Sequence, residues 1–282
     1  MDEKNKGEIS IEQIRRLMVD MLVWFDGFAE QHNLTYFIDS GTLLGAVRHK
    51  GFIPWDDDMD LVMLRADYER MIEIFRKEPQ ERYQLKCFEL QREYLYPFAK
   101  LSDSHTTLIE DGKNCGVEMG VFIDIVPFDN DKGDTEERVR LNKIIKRYNS
   151  ILDFKMNTKE HKATGIKGML AKIADLVIDT RVTYAIQKKY KKLEMRFYED
   201  DSCEYLMAPV FLSYRKYYRK EWFRDTTKLE FEGQYFSAPI DYLEMLYEQY
   251  RNYMKLPPAD KRNAHHGLHV TLNEKFKADK TM

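Results

Sequence analysis

The sequence predicts a mixed α/β protein of the α+β kind, with a leading helix, a mixed sheet and a largely helical second half. Three observations predict it. Apolar residues recur at helical spacing from Ile9 to His32 (Ile11, Ile14, Leu17, Met18, Met21, Leu22, Phe25, Phe28). A strand, tight turn and helix start follow at once, and beyond Gly133 the helical period returns for most of two long segments. In chain order, Thr35–Ile38 is short, rich in β formers and ends at Asp39-Ser40-Gly41, so Thr42–His49 reads as a short helix opened by Gly41 and Thr42. Residues 50–55, with Gly51 and Pro54, read as a loop. Asp58–Leu64 alternates acidic and apolar residues as a strand does, and Arg65–Lys77 is helical again. Tyr83–Leu90, Tyr96–Leu101, Thr106–Glu110 and Val121–Val126 are the further strands expected, followed by helices over 134–158, 166–199 and 241–254.

The chain has 282 residues, 43% of them hydrophobic and 33% charged, which excludes a disordered or fibrous protein. No apolar run approaches the ~18 residues of a spanning helix, and the amino terminus lacks the apolar stretch of a signal peptide, so the expected location is cytoplasmic. Cys87, Cys115 and Cys203 are widely spaced and odd in number, which argues against a zinc site or a disulfide framework and for buried thiols. One elaborated domain is expected, with residues 1–133 as its core, a basic helical insertion over 134–200, and 201–282 completing it. The net charge of −3 hides that insertion: residues 140–196 carry 15 Lys and Arg against 5 Asp and Glu. A solvated helical face is the commoner meaning of such a run; otherwise it favours an anionic partner, whether a phosphate-rich polymer, a nucleic acid or the cytoplasmic leaflet, and the final expectation is a membrane contact and no nucleic acid.

The chemistry concentrates in Trp55-Asp56-Asp57-Asp58-Met59-Asp60-Leu61. A strand puts alternate residues on one face, so Asp56, Asp58 and Asp60 converge while Asp57 is expected in solvent. Crowded carboxylates repel unless a hard divalent cation sits among them, which points to Mg2+ or Mn2+. Upstream, Gly41-Thr42 opens a helix whose free N–H groups suit a phosphate. Downstream, Asp124 interrupts the apolar run Val121–Phe128, and a buried carboxylate needs a partner, which a shared metal would supply. Arg48 and Lys100 are candidates to compensate phosphate charge.

The stretch from Asp39 through Leu61 resembles the signature of the LicD family, the phosphocholine transferases related to fukutin and its relatives. The likeness extends to Phe98–Ser104, Val121–Phe128 and the tail Tyr253–Arg262. It implies a nucleotidyltransferase-like fold in which Gly41-Thr42, Asp58, Asp60 and Asp124 form the active site, with Asp56 an outer or alternative ligand. It also implies the reaction: a phosphorylated alcohol passes from a CDP-alcohol such as CDP-choline to a hydroxyl of a teichoic acid or lipopolysaccharide precursor, and CMP leaves. The acceptor would be lipid-linked, with the protein resting on the inner membrane face. Asp124 would take the hydroxyl proton or serve only as a metal ligand; both remain open.

Two other readings compete. A nucleotidyltransferase adding an NMP would use the same carboxylates and release pyrophosphate, and a catalytically silent binding protein would have lost one of them. His265-His266 reads as a surface pair before a zinc site. Trp55 is the nearest aromatic for a choline ammonium. The stripe Met169, Leu170, Ile173 and Val177 reads first as core packing and second as an interfacial helix leading to Lys188, Lys189, Lys191 and Lys192.

Overall fold

Helix α1 (Ile11–Gln31) forms where its period predicts it, capped by a reciprocal pair in which the Ser10 hydroxyl accepts from the Gln13 N–H and the Gln13 side chain accepts from the Ser10 N–H. Its buried face, Ile14, Met18, Met21, Leu22, Phe25 and Phe28, enters the main core. The computed structural model describes residues 8–110, 112–157, 165–208, 217–262 and 268–273. After α1 come β1 (Phe37–Ile38), α2 (Ser40–His49), β2 (Asp60–Leu64), α3 (Arg65–Lys77), β3 (Tyr83–Lys86), β4 (Ala99–Asp103), β5 (Thr106–Glu110) and β6 (Phe122–Asp131). The basic segment gives α4 (Glu136–Met156), α5 (Gly165–Val177) and α6 (Thr180–Glu194). The chain closes with β7 (Tyr205–Met207), β8 (Tyr218–Arg219), β9 (Thr226–Phe231), β10 (Gln234–Pro239), α7 (Tyr242–Tyr250) and β11 (Leu268–Leu272).

The main sheet runs β1-β2-β6-β4-β3, with β7 and β8 continuing from the far end of β6. β2 and β6 are parallel and the other pairs antiparallel, so the sheet is mixed, as predicted. β6 outruns its predicted end at Val126 and passes through Pro127; its last three residues change partner from β2 to β7. The stretch after 200 is mixed, with a helix near 241–254 where one is expected. It holds the β9–β10 hairpin and three short strands, and α7 is its one α-helix among the described residues. β11 pairs with β5, and its Val270 carbonyl accepts from the N–H of Ile9, so the two ends of the described chain meet.

The basic helices are pinned to the core by a buried charge network rather than by apolar contact alone. Arg65, 3% exposed, makes a two-pronged pair with Asp129 on β6 and reaches Glu194 on α6 at 3.1 Å. Two carboxylates sharing one guanidinium in a dry site hold the Glu194 carboxyl at about 8, burial being the largest cause. Among the described residues, no helix is long and apolar enough to cross a membrane. Cys87 and Cys203 are buried and Cys115 half-buried, all free thiols.

Candidate active site

Strand register builds the site. Asp60 on β2 is the direct partner of Asp124 on β6, and Asp124 is the direct partner of Lys100 on β4. Directly paired residues share a face, so two carboxylates and an ammonium stand in one row across three strands. Lys86 on β3 extends the row; burial pushes its ammonium below the usual lysine range, and it donates to Gln84 Oε1 at 3.0 Å. Asp58 joins from the loop before β2 and lines one pocket with Asp124, Lys100 and Phe122.

Helix α2 starts at Ser40, two residues earlier than predicted, with Asp39 at its N-cap and Ser40 turning the chain at φ 49°. Gly41 has a definite steric reason: a Cβ there would lie 2.4 Å from Asp56 Oδ2, so only glycine lets that carboxylate approach the helix start. The Thr42 hydroxyl, buried, accepts from the backbone N–H of Asp60 at 2.9 Å and so fixes the start of β2 against the start of α2. The loop between them is clamped from α1: Arg15 donates to the carbonyls of Ile53, Pro54 and Asp56. Gly45 lets this loop lie directly on α2, since a Cβ would meet the Gly51 carbonyl oxygen at 2.4 Å. Asp57, expected in solvent, is 3% exposed: the clamped loop folds inward instead of presenting a bare strand face.

The electrostatics follow from crowding. Burial and the neighbouring carboxylates of Asp58, Asp124, Asp39 and Asp56 hold the Asp60 carboxyl well above the usual range. The Asp124 carboxyl is also raised, by burial, against the opposing pull of Lys100, with which it forms a close ion pair. Among the described residues, no three acidic, His or Cys side chains stand at metal-ligand spacing. The pairing shows why: Asp124 is turned onto Lys100, and Asp56 lies against Gly41. In chemistry the donors are all hard carboxylate oxygens, the kind that suits Mg2+ or Mn2+, and their mutual repulsion is what such a cation would relieve.

Of the predicted residues, the structure brings together Asp56, Asp58, Asp60, Asp124, Gly41, Thr42 and Lys100. Arg48 stands in the last turn of α2, where it donates to the Tyr253 carbonyl at 3.0 Å and lies over the Trp55 ring. Arg262 lies over the same ring, so Trp55 is flanked by two guanidinium groups and serves to tie the tail down. His265 and His266 lie outside the described residues. Sequence reasoning missed Asp39, a fully buried carboxylate that accepts from the Tyr218 hydroxyl at 3.3 Å, and Tyr250, whose hydroxyl is raised by burial and by Asp39, Asp60 and Asp56. Both tyrosines come from the far end of the chain, beyond the reach of local spacing.

Comparison with known proteins bears on the same residues. The family described as "LicD/FKTN/FKRP, nucleotidyltransferase domain" matches residues 33–157, the span that holds every carboxylate of the site. The lipopolysaccharide cholinephosphotransferase LicD of Haemophilus influenzae is 30% identical over 267 residues, 92% of this chain and 97% of that protein. Uncharacterized proteins of Rickettsia typhi and Rickettsia prowazekii share shorter stretches, 45% identical over 56 residues and 57% over 37.

Proposed function

Because this chain belongs to the LicD family, we propose that it moves phosphocholine, or a closely similar phosphorylated alcohol, from a CDP-alcohol to a hydroxyl of a cell-surface glycan precursor, releasing CMP. The observation that carries this reading is the row of Asp60, Asp124 and Lys100 across β2, β6 and β4, with Asp58 beside it at the mouth of a pocket. The acceptor oxygen forms a bond to the phosphorus of the alcohol phosphate, the bond from that phosphorus to the bridging oxygen of the diphosphate breaks, and CMP leaves with the electron pair. Asp58, Asp60 and Asp124, with Asp56 behind them, are the residues that would hold Mg2+ or Mn2+, which when bound would neutralise the diphosphate charge. The start of α2 at Gly41 and Thr42 offers backbone N–H groups to a phosphate. Lys100 adds a positive charge on the far side of Asp124. Asp124, on the pocket side of the row and with a raised carboxyl, accepts the proton of the acceptor hydroxyl.

Purified protein with magnesium, a panel of CDP-alcohols and a lipopolysaccharide acceptor tests this directly. CMP release matched by a phosphocholine mass gain on the acceptor is the expected result. Pyrophosphate release from a nucleoside triphosphate, with no CMP from any CDP-alcohol, would replace the reading by nucleotidyl transfer.

A lipid-linked acceptor calls for a membrane contact, and α5 supports one. Of the stripe, Met169, Ile173 and Val177 are more than half exposed rather than packed on the core as first expected, the Leu170 side chain lies outside those described, and Leu176 beside them is 82% exposed. On α6, Lys188, Lys189 and Lys192 are exposed, whereas Lys191 is taken by Glu69 and Glu89. We expect the protein to co-sediment with anionic vesicles at low salt and to be released as salt screens the lysines. Leu176→Ser with Val177→Ser should abolish binding. No binding at low salt removes the membrane contact.

A further inference from the structure

Tyr96 and Phe98, just ahead of β4, and Phe122 at the start of β6 surround a single cation. The Lys100 Nζ lies 3.6 Å from the ring centroid of Phe122, 4.6 Å from that of Tyr96 and 5.3 Å from that of Phe98. All three rings are within the ~6 Å at which an aromatic face attracts positive charge. Glu110 completes the wall, accepting from the Tyr96 hydroxyl at 3.2 Å and pairing with Lys113 at the surface. The same side chains line a pocket that includes Asp58 and Asp124, and all but Phe98 border a cavity of ≈ 310 Å³ walled by Leu108, Val117 and Met119.

The lysine uses only one side of this site. Its ammonium pairs with Asp124, while its other side meets π faces that accept no conventional hydrogen bond. Three aromatic faces and a carboxylate at the edge suit a cation that has no N–H to satisfy, a quaternary ammonium. Lys100 touches both Asp124 and the rings, so the cage adjoins the carboxylates directly.

We infer that Tyr96, Phe98 and Phe122, with Glu110, form the head-group site for the trimethylammonium of a phosphocholine donor, and that Lys100 holds this site until the donor enters. Lys100 then turns its ammonium from the rings to the incoming phosphate. The inference rests on the transfer reading above and adds what would make the enzyme prefer choline to ethanolamine, glycerol or ribitol.

Calorimetric binding of phosphocholine, phosphoethanolamine and tetramethylammonium chloride to the magnesium-loaded protein tests it without requiring turnover. Wild type should bind phosphocholine about tenfold more tightly than phosphoethanolamine, the order expected for a desolvated cation over aromatic faces. Tyr96→Leu and Phe122→Leu should each erase most of that preference, and Tyr96→Phe, which keeps the ring, should retain it. Lys100→Gln should tighten tetramethylammonium binding by removing the resident cation; weaker binding would overturn the displacement. Equal loss for both phosphate esters in the leucine variants, with melting temperatures unchanged, overturns the cage even if CDP-choline is turned over. Failure of every CDP-alcohol to react, with the binding preference intact, instead overturns the transfer reading and leaves the cage standing.

Discussion

Asp60→Asn lowers transfer more than about 100-fold, the scale of one positioned charge in a transition state, and Asp58→Asn does the same. Both changes keep the size of the side chain, and the Asp60 backbone remains held by the Thr42 hydroxyl, so β2 keeps its place. The stability effect of Asp60→Asn has the opposite sign. Burial and four neighbouring carboxylates raise the folded-state value of Asp60 above its unfolded one, so the folded protein favours the protonated form and loses stability as pH rises through the folded value. In metal-free buffer the asparagine variant therefore melts above wild type at alkaline pH, and the gap closes as the pH falls toward the unfolded value. CMP release at saturating magnesium and thermal melts across pH measure the two effects. Wild-type turnover in either variant removes these residues from the reaction.

Arg65→Met has the largest effect expected on stability. The guanidinium is 3% exposed and serves Asp129 and Glu194 together, with Glu69 at 3.2 Å on its outer side. Removing it strands two carboxylates in a dry site, a change that costs about 3–5 kcal/mol, against less than about 1 kcal/mol for an exposed pair. Because Glu194 already titrates near 8, the loss grows with pH, and Arg65→Met with Glu194→Gln recovers part of it. Urea unfolding midpoints at pH 6 and pH 8.5 read both. A loss within the range of a surface pair would mean the network does not hold the basic helices.

Much of this site is legible in the chain because its residues are local. Asp56, Asp58 and Asp60 alternate, Gly41-Thr42 opens the preceding helix, and Asp124 stands out within an apolar strand. What the pattern does not carry is the environment supplied by distant elements. Asp57 looks solvated until Arg15 draws the loop onto α1, and Asp39 looks unremarkable until Tyr218 reaches it across 179 positions. The strands β7, β8, β9, β10 and β11 escape the sequence for a related reason: they are short and their partners decide them. Glu232-Gly233, at the tip of the β9–β10 hairpin, is a turn signal in hindsight, with both residues at positive φ. The cage had a signal too. Tyr96, Phe98 and Lys100 are spaced by two, the spacing of one strand face, but aromatic residues with that period are ordinarily core.

The meeting of the two ends of the described chain sets an order of events during synthesis. Leu268 on β11 lines the pocket beside Asp58 and Asp124, and β11 is held between β5 and the residues just before α1. A nascent chain therefore assembles all of its carboxylates well before it has the strand that walls them in. A product released early from the ribosome would carry the acidic row with its pocket open on one side.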